Sequence, residues 1–139
     1  KNFKKIKWVD GDRFRKKFSK DLGFSINDRR KNSIRIQRYC KKFENENYLV
    51  ICSLISIFPD HQKKNRKLFT KYIQIYVKAS NAKIQKRNKK GIYKKKINVV
   101  GRDIKFPKPF KSDIIIYNSF KKKILSKIKK IENKINEKL

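Results

Sequence analysis

Acidic residues are scarce in this sequence of 139 residues: 11 Asp and Glu stand against 42 Lys and Arg, for a formal net charge of +31. Such a balance suggests a polyanionic partner such as nucleic acid. The lysines are spread along the whole chain, however, so charge alone selects no function. The length is that of one domain with a modest core, and we expect it to span residues 1–139.

Long hydrophobic runs are absent too. No stretch approaches the roughly 18 apolar residues that a membrane-spanning helix needs, and no signal peptide is visible. Methionine is missing, and the sequence opens on Lys1, which suggests that the true N-terminus lies upstream. We therefore expect a protein that binds no membrane.

Cysteine and histidine are almost lacking. Cys40 and Cys52 lie in apolar surroundings without C-x-x-C spacing, which favours buried free thiols in a reducing, cytoplasmic compartment over a metal site. The single histidine, His61, stands in the polar run "PDHQKKNR" and is predicted to lie on the surface.

The remaining sequence alternates between apolar runs and basic, amphipathic segments. "IKWV" reads as a strand followed by the polar loop "DGD", and the later runs over residues 48–56 and 72–77 read as strands buried on both faces. Asn27 or Asp28 is predicted to cap a helix through residues 29–46. Further predicted elements are a short basic helix at 63–69, a helix from 80 to Gly91, a strand at 113–119 and an amphipathic C-terminal helix. Strands that alternate with helices indicate an α/β domain with a mostly parallel sheet.

Polar clusters directly follow the predicted strands. "DGD" follows the first strand, "SIFPD" the second and "KASN" the third. In open parallel sheets, ligands bind at the carboxyl ends of the strands, so these clusters mark the expected site. The segment "DLGFSINDRRKN" adds two arginines, a glycine and an aromatic, which suits a pocket for a small anionic ligand.

The order of these motifs resembles the adenylylsulfate kinase (APS kinase) family. "WVDGDRFRKKFSKDLGFSINDRRKNSIRI", "VICSLISIF", "IQIYVKASNAKIQKRNKKGIYKKK" and "NVVGRDI" follow the family pattern in collinear order over nearly the whole chain. The resemblance implies a P-loop kinase-like three-layer α/β domain with a mostly parallel sheet. It also implies ATP- and Mg²⁺-dependent phosphorylation of the 3′-hydroxyl of adenosine 5′-phosphosulfate.

The resemblance also implies which residues bind the substrate. Arginine forks suit anionic oxygens, and an aromatic face can stack on adenine. The substrate-binding residues carried over are Arg15, Phe24, Arg29, Asn32, Ile55, Ser56, Lys90, Asn98 and Val99. The expected partners are adenosine 5′-phosphosulfate and a second copy of the chain, with no specific nucleic acid and no membrane.

Two residues are carried over as catalytic. Asp12, the second acid of "DGD", is expected to orient or deprotonate the attacking hydroxyl beside Mg²⁺; its structural alternative is a cap for the next helix. Ser56 matches a serine that the family often assigns as a phosphorylated intermediate; the alternative is a turn hydrogen bond.

Several residues depart from the family pattern. Arg13 stands for the usual Asn, Gln62 for an Arg, and Val99 for a frequent Phe. None of the four glycines begins a G-x-x-x-x-G-K-[ST] motif, which would cradle the ATP phosphates. We therefore expect that the first, P-loop strand is missing from this chain and that the 139 residues alone are inactive. The alternatives are a degenerate, inactive homologue or a basic RNA-associated protein.

Overall fold

The computed structural model describes residues 5–86, 97–118 and 125–138. Its elements in chain order are β1 (Ile6–Asp10), α1 (Gly11–Phe18), α2 (Ile26–Asn45), β2 (Leu49–Ser53), α3 (Pro59–Leu68), β3 (Ile75–Lys78), α4 (Asn81–Lys86), β4 (Ile114–Tyr117) and α5 (Leu125–Lys138). Strand β1 pairs with β2, and β3 pairs with β4, both in parallel. The predicted α/β class with parallel strands is confirmed.

The chain divides into two compact units, unit 1 (Lys1–Thr70) and unit 2 (Lys71–Leu139). The core of unit 1 lies between the β1–β2 sheet and the helices α1 and α2. It consists of Val9, Phe14, Ile36 and Cys40, with Tyr39, Val50 and Phe69 packed against it. That a single domain spans residues 1–139 stays a prediction.

A ladder of aromatic rings extends this core along α2. Tyr39 is central to it, with ring centroids 5.2 Å from Phe14, 5.3 Å from Phe18 and 5.0 Å from Phe43. Edge-to-face and tilted pairs of this kind add to the stabilisation that burial provides. The lysine-rich sequence thus adds a row of large rings to its small core, and the rings hold α2 against α1.

Helix α1 replaces the predicted polar loop after the first strand. Asp10 is the last residue of β1 and also the N-cap of α1, because its Oδ1 accepts a hydrogen bond from the Arg13 backbone N–H at 2.8 Å. Only Phe14 is buried along this short helix. The helix is only eight residues long, and its apolar residues are Phe14 and Phe18 alone, which are too few to establish a helical period in the sequence.

Helix α2 begins earlier than predicted. Its N-cap is Ser25, not Asn27 or Asp28: the Ser25 hydroxyl accepts from the Asp28 N–H at 3.1 Å and donates to the Asp28 carboxylate at 2.7 Å. This arrangement resembles a capping box, with Asp in the place of the usual Glu. The prediction was wrong by two or three residues because it did not weigh the S-x-x-D spacing.

The strands are shorter and more exposed than predicted. The predicted strand over residues 48–56 is limited to β2, and the prediction that both faces of these strands are buried was wrong. Ile51 in β2 is 50% exposed, and Val77 in β3 is 57% exposed. In unit 1 the helices cover one sheet face, where Val9 lies, whereas Trp8 on the opposite face is 57% exposed.

In unit 2, a hydrogen bond links the residues that directly precede β3 and β4. The Asp113 carboxylate accepts from the Gln74 backbone N–H at 2.8 Å, next to the pairing of Ile75 with Ile114. The rings of Tyr76 and Phe106 stack with centroids 5.9 Å apart. Residues 87–96, which include part of the predicted helix up to Gly91, lie outside the described residues.

The two cysteines are both free, but only one of them is buried. Cys40 belongs to the core of unit 1, whereas Cys52 on β2 is exposed. The prediction of two buried thiols was therefore wrong for Cys52, whose strand leaves much of its surface uncovered. Among the described residues, no helix combines the length and the apolar character that crossing a membrane requires.

Candidate functional site

The carboxyl ends of β1 and β2 bring two of the predicted polar clusters together. Asp10 and Ser53, the last residues of the two strands, are partners in the parallel register. The chain then passes so close to β2 that a Cβ on Gly11 would lie 2.9 Å from the Leu54 Cβ. The "DGD" cluster thus lies beside Ser53 and Leu54, the residues that lead into "SIFPD", at the carboxyl ends of the two parallel strands.

Arg15 on α1 lies against the segment that links α1 to α2. Its guanidinium Nη1 donates to the Gly23 carbonyl oxygen at 2.6 Å. The same guanidinium lies over the Phe24 ring, with 4.9 Å between its Cζ and the ring centroid. The helix and the following turn therefore meet through one arginine.

Arg29, in the first turns of α2, approaches the same ring from its own helix. Its Nε donates to the Phe24 carbonyl oxygen at 3.0 Å, and its Cζ is 5.5 Å from the Phe24 ring centroid. Phe24 itself is 48% exposed. We call Arg15, Phe24 and Arg29 the Phe24 cluster.

The Phe24 cluster is electropositive. Burial lowers the pKa of both guanidinium groups, and the positive charge of Arg15 lowers the pKa of Arg29 further. The carboxylates of Asp28 and Asp12 act in the opposite direction on Arg15. Two neighbouring cations that disfavour each other's charge gain from a bound anion, and the exposed part of the Phe24 ring can contact a planar group.

Asn32 follows Arg29 on α2 by about one helical turn, and it is only 8% exposed. Its side-chain oxygen Oδ1 has no hydrogen-bond partner among the described residues. A buried acceptor without a partner costs about 1–3 kcal/mol. Such an atom could accept a hydrogen bond from a ligand; the predicted role of Asn32 in binding the substrate stays a prediction.

Asp12 lies exposed in the first turn of α1. The capping role that was its structural alternative belongs to Asp10. One carboxylate fits Mg²⁺, which proteins often hold through one or two carboxylates plus the phosphates of a substrate. Among the described residues, no group of three or more His, Cys, Asp or Glu could hold a metal without such a substrate.

The segment after β2 carries Ile55 and Ser56. Ile55 is 63% exposed, and Ser56 is half-buried. The Ser56 hydroxyl and carbonyl oxygens both accept from Nε2 of Gln62, at 3.1 and 3.2 Å. Sequence reasoning noted Gln62 only as a departure from the family pattern and missed this contact.

The remaining predicted site residues belong to unit 2 or lie outside the described residues. Asn98 has a left-handed backbone with a φ of 59°. Val99 is 6% exposed, and its backbone N–H donates to the Asp103 carboxylate at 2.9 Å. Hydrogen bonds from Arg102 and this N–H lower the pKa of Asp103 to about 2. Lys90 is not among the described residues.

Two other arginines of α2 pair with carboxylates. Nη1 and Nη2 of Arg35 donate to the two oxygens of Asp21 at 2.6 and 2.7 Å, a pair that we call the Arg35 clamp. Arg30 donates to Asp60 at 2.6 Å and lies 3.0 Å from Nε2 of His61. The predicted surface position of His61 was wrong. His61 is 6% exposed and packs from α3 against α2. These partners are 14 to 31 residues apart, so no local pattern indicates them.

Comparisons with known proteins agree with this architecture. The family model described as "Adenylylsulphate kinase" matches residues 1–117. An APS kinase of Mycobacterium tuberculosis, solved in complex with AMPPNP and APS, superimposes with a TM-score of 0.82 at 21% identity, over 95% of this chain and 80% of that one. The fold is therefore that of the α/β P-loop kinases.

Two curated relatives are both named as kinases. An adenylyl-sulfate kinase of Thermodesulfovibrio yellowstonii is 35% identical over 78% of this chain and 58% of its own length. A cytidine diphosphoramidate kinase of Campylobacter jejuni is 30% identical over 96% of this chain and 80% of its own length. The chain thus spans 58% of the first of these relatives. It belongs to the adenylylsulfate kinase family.

Proposed function

We propose that this chain belongs to an enzyme that transfers the γ-phosphoryl group of ATP to the 3′-hydroxyl of adenosine 5′-phosphosulfate. The observation that carries the proposal is the Phe24 cluster, in which two guanidinium groups lie 4.9 and 5.5 Å from the centroid of one exposed ring. A nucleotide with an anionic tail offers both of the groups that such a cluster recognises, a planar base and charged oxygens.

Each part of the substrate has a counterpart in unit 1. The guanidinium groups of Arg15 and Arg29 suit the phosphosulfate oxygens, because arginine binds such oxygens through paired donors. The ring of Phe24 suits the adenine face. The buried Oδ1 of Asn32 suits an N–H or O–H donor of the nucleotide, which would satisfy it.

Asp12 would act on the reacting hydroxyl. In the transfer, the 3′-oxygen forms a bond to the γ-phosphorus while the bond to the ADP oxygen breaks, and the hydroxyl proton passes to a base. An exposed carboxylate at the carboxyl end of β1 is suited to orient that hydroxyl and accept its proton. Mg²⁺, when bound beside Asp12, would neutralise charge on the phosphates. No residue is assigned to the ATP phosphates, since the 139 residues contain no G-x-x-x-x-G-K-[ST] motif.

A second candidate substrate is cytidine diphosphoramidate. The Campylobacter jejuni relative that acts on it, by its name, matches 96% of this chain and 80% of its own length, a longer match than the 78% and 58% of the Thermodesulfovibrio yellowstonii enzyme. Both nucleotides carry a base and an anionic tail, so the Phe24 cluster suits either. The two candidates differ in the base and in the terminal group.

Calorimetric titration with each nucleotide distinguishes the candidates. We expect the protein to bind adenosine 5′-phosphosulfate more tightly than cytidine diphosphoramidate and than free sulfate. Incubation of the natural protein with ATP and Mg²⁺ should then yield a product phosphorylated on the 3′-oxygen, identified by ³¹P NMR.

Other outcomes would contradict the proposal in different ways. Tighter binding and turnover of the cytidine nucleotide would assign the second candidate. Binding without turnover by the natural protein would indicate a degenerate, inactive homologue. Binding of RNA but of neither nucleotide would favour a role for the net charge of +31 instead.

A further inference from the structure

Gln62 on α3 holds the segment that carries Ser56. Gln62 is buried, with only 3% of its surface exposed. Its Nε2 donates to the Ser56 hydroxyl oxygen at 3.1 Å and to the Ser56 carbonyl oxygen at 3.2 Å. One buried carboxamide therefore fixes both the backbone and the side chain of a half-buried serine at the carboxyl end of β2.

The first turn of α3 is in turn attached to α2. Nδ1 of His61 lies 3.0 Å from the Ser33 hydroxyl, while Nε2 lies 3.0 Å from Nη1 of Arg30. Since a guanidinium can only donate, Nε2 of His61 is the acceptor, and Nδ1 carries the proton and donates to Ser33. Arg30 also donates to Asp60 at 2.6 Å.

These attachments reach the helix turn that carries the proposed substrate groups. Arg30 and Ser33 directly follow Arg29 and Asn32 in the sequence of α2. The first turn of α3 thus connects this part of α2 to the Ser56 segment, and Gln62 is the residue that makes the connection to Ser56.

The direction of the hydrogen bond defines what Ser56 can do. Because the Gln62 N–H occupies an acceptor site of the Ser56 hydroxyl, the hydroxyl proton stays available for donation. A donor at the carboxyl end of β2 is suited to an anionic sulfate or phosphate oxygen.

We propose that Gln62 is a positioning residue that orients the Ser56 hydroxyl to donate to the anionic tail of the nucleotide substrate. This inference rests on the proposed function and adds to it a residue that does not itself contact the substrate. Gln62 acts through Ser56, so removing either partner should remove the same contribution to binding.

The test is a double-mutant cycle on the affinity for adenosine 5′-phosphosulfate, measured by calorimetry. Gln62→Met keeps the size of the side chain and removes its donors; we expect affinity to fall about threefold to tenfold, the range for one neutral hydrogen bond. In a Ser56→Ala background the same substitution should cause little further loss. Gln62→Glu, whose carboxylate would accept a hydrogen bond from the Ser56 hydroxyl, should lower affinity at least as much.

Gln37→Met is the matched control. Nε2 of Gln37 donates to the Asn65 side chain between α2 and α3, remote in sequence from the Ser56 segment. Its loss should lower the thermal midpoint and leave the affinity unchanged, alone and with Ser56→Ala. Circular dichroism verifies that each variant is folded. If Gln62→Met does not fold, Gln62→Glu replaces it in the double-mutant cycle.

Two results overturn the inference alone: unchanged affinity in both Gln62 variants, or a loss that is equally large with and without the Ser56 hydroxyl. If the unaltered protein binds neither adenosine 5′-phosphosulfate nor cytidine diphosphoramidate, the proposed function fails, and the inference fails with it.

Discussion

The arginines of the Arg35 clamp and of the Phe24 cluster, both in unit 1, have pKa values that are shifted in opposite directions. In the Arg35 clamp, the hydrogen bonds that Arg35 donates to Asp21 raise the pKa of Arg35. In the Phe24 cluster, burial and the neighbouring charge of Arg15 lower the pKa of Arg29. Arg35 is hydrogen-bonded directly to a carboxylate, whereas the guanidinium groups of the Phe24 cluster have lowered pKa values despite the carboxylates of Asp12 and Asp28 near Arg15, so that an added anion would stabilise their charged form. The comparison separates arginines that support the fold from arginines suited to a ligand.

The largest effect should come from removing a guanidinium of the Phe24 cluster. We expect Arg29→Ala to weaken binding of adenosine 5′-phosphosulfate about tenfold to a hundredfold, since a charge-assisted hydrogen bond contributes about 1.5–3 kcal/mol. Arg35→Ala, the control, should lower the thermal midpoint slightly and leave affinity unchanged. Calorimetric titration that gives equal losses for both variants would erase the distinction between the two groups.

Asn32 is expected to affect stability and nucleotide binding in opposite directions. Asn32→Leu removes a buried oxygen that has no partner among the described residues. We expect the free energy of unfolding to rise by about 1 kcal/mol and the affinity for the nucleotide to fall about tenfold. Urea denaturation and calorimetry measure the two quantities, and a destabilised variant with normal affinity would assign Asn32 to the core instead.

Ser25 tests how the first turn of α2 is fixed beside the Phe24 cluster. We expect Ser25→Ala to lower the free energy of unfolding by about 1 kcal/mol, because it removes the N-cap. Asn27→Ala, at the position that the sequence suggested as a cap, should stay within about 0.5 kcal/mol of the unaltered chain. Chemical denaturation of the two variants in parallel checks the assignment; the reverse order would contradict it.

Arg30 contacts both the carboxylate of Asp60 and the ring of His61. The smallest expected effect is that of His61 on the free energy of unfolding, and it depends on pH. Burial lowers the pKa of His61 below 6.5, with Arg30 and Lys64 acting in the same direction and Asp60 against them. The unfolded chain therefore takes up the proton at a higher pH than the folded chain. The contribution of His61 is complete above pH 6.5 and is lost as the pH falls below that value.

Urea denaturation at about pH 7 and about pH 5, on either side of the ordinary histidine pKa, measures this contribution. We expect the unaltered chain to lose more stability over that interval than His61→Gln, which cannot be protonated. Asp60, whose pKa is held below 3.8 by Arg30, titrates below this window. Equal losses in the two proteins would show that His61 titrates alike in the folded and unfolded states.

Local patterns predicted much of the fold. The apolar run before "DGD" predicted β1, and the periodic spacing of apolar residues in the C-terminal segment predicted α5. The S-x-x-D spacing at Ser25 was also available in the sequence and would have placed the start of α2. By contrast, α1 has only eight residues and two apolar side chains, Phe14 and Phe18, which are too few to establish a period.

Motif order in the sequence identified the family. The types of residue in "DLGFSINDRR" predicted an anion-binding segment, because charge and hydrogen-bonding capacity belong to the residues themselves. Which arginine faces a carboxylate and which faces Phe24 was decided only by the tertiary structure. The partners of Arg35 and Arg30 are brought to α2 by the packing of this helix against α3 and against the segment that follows α1. The burial of His61 follows from the same packing, since exposure depends on neighbours that are distant in sequence.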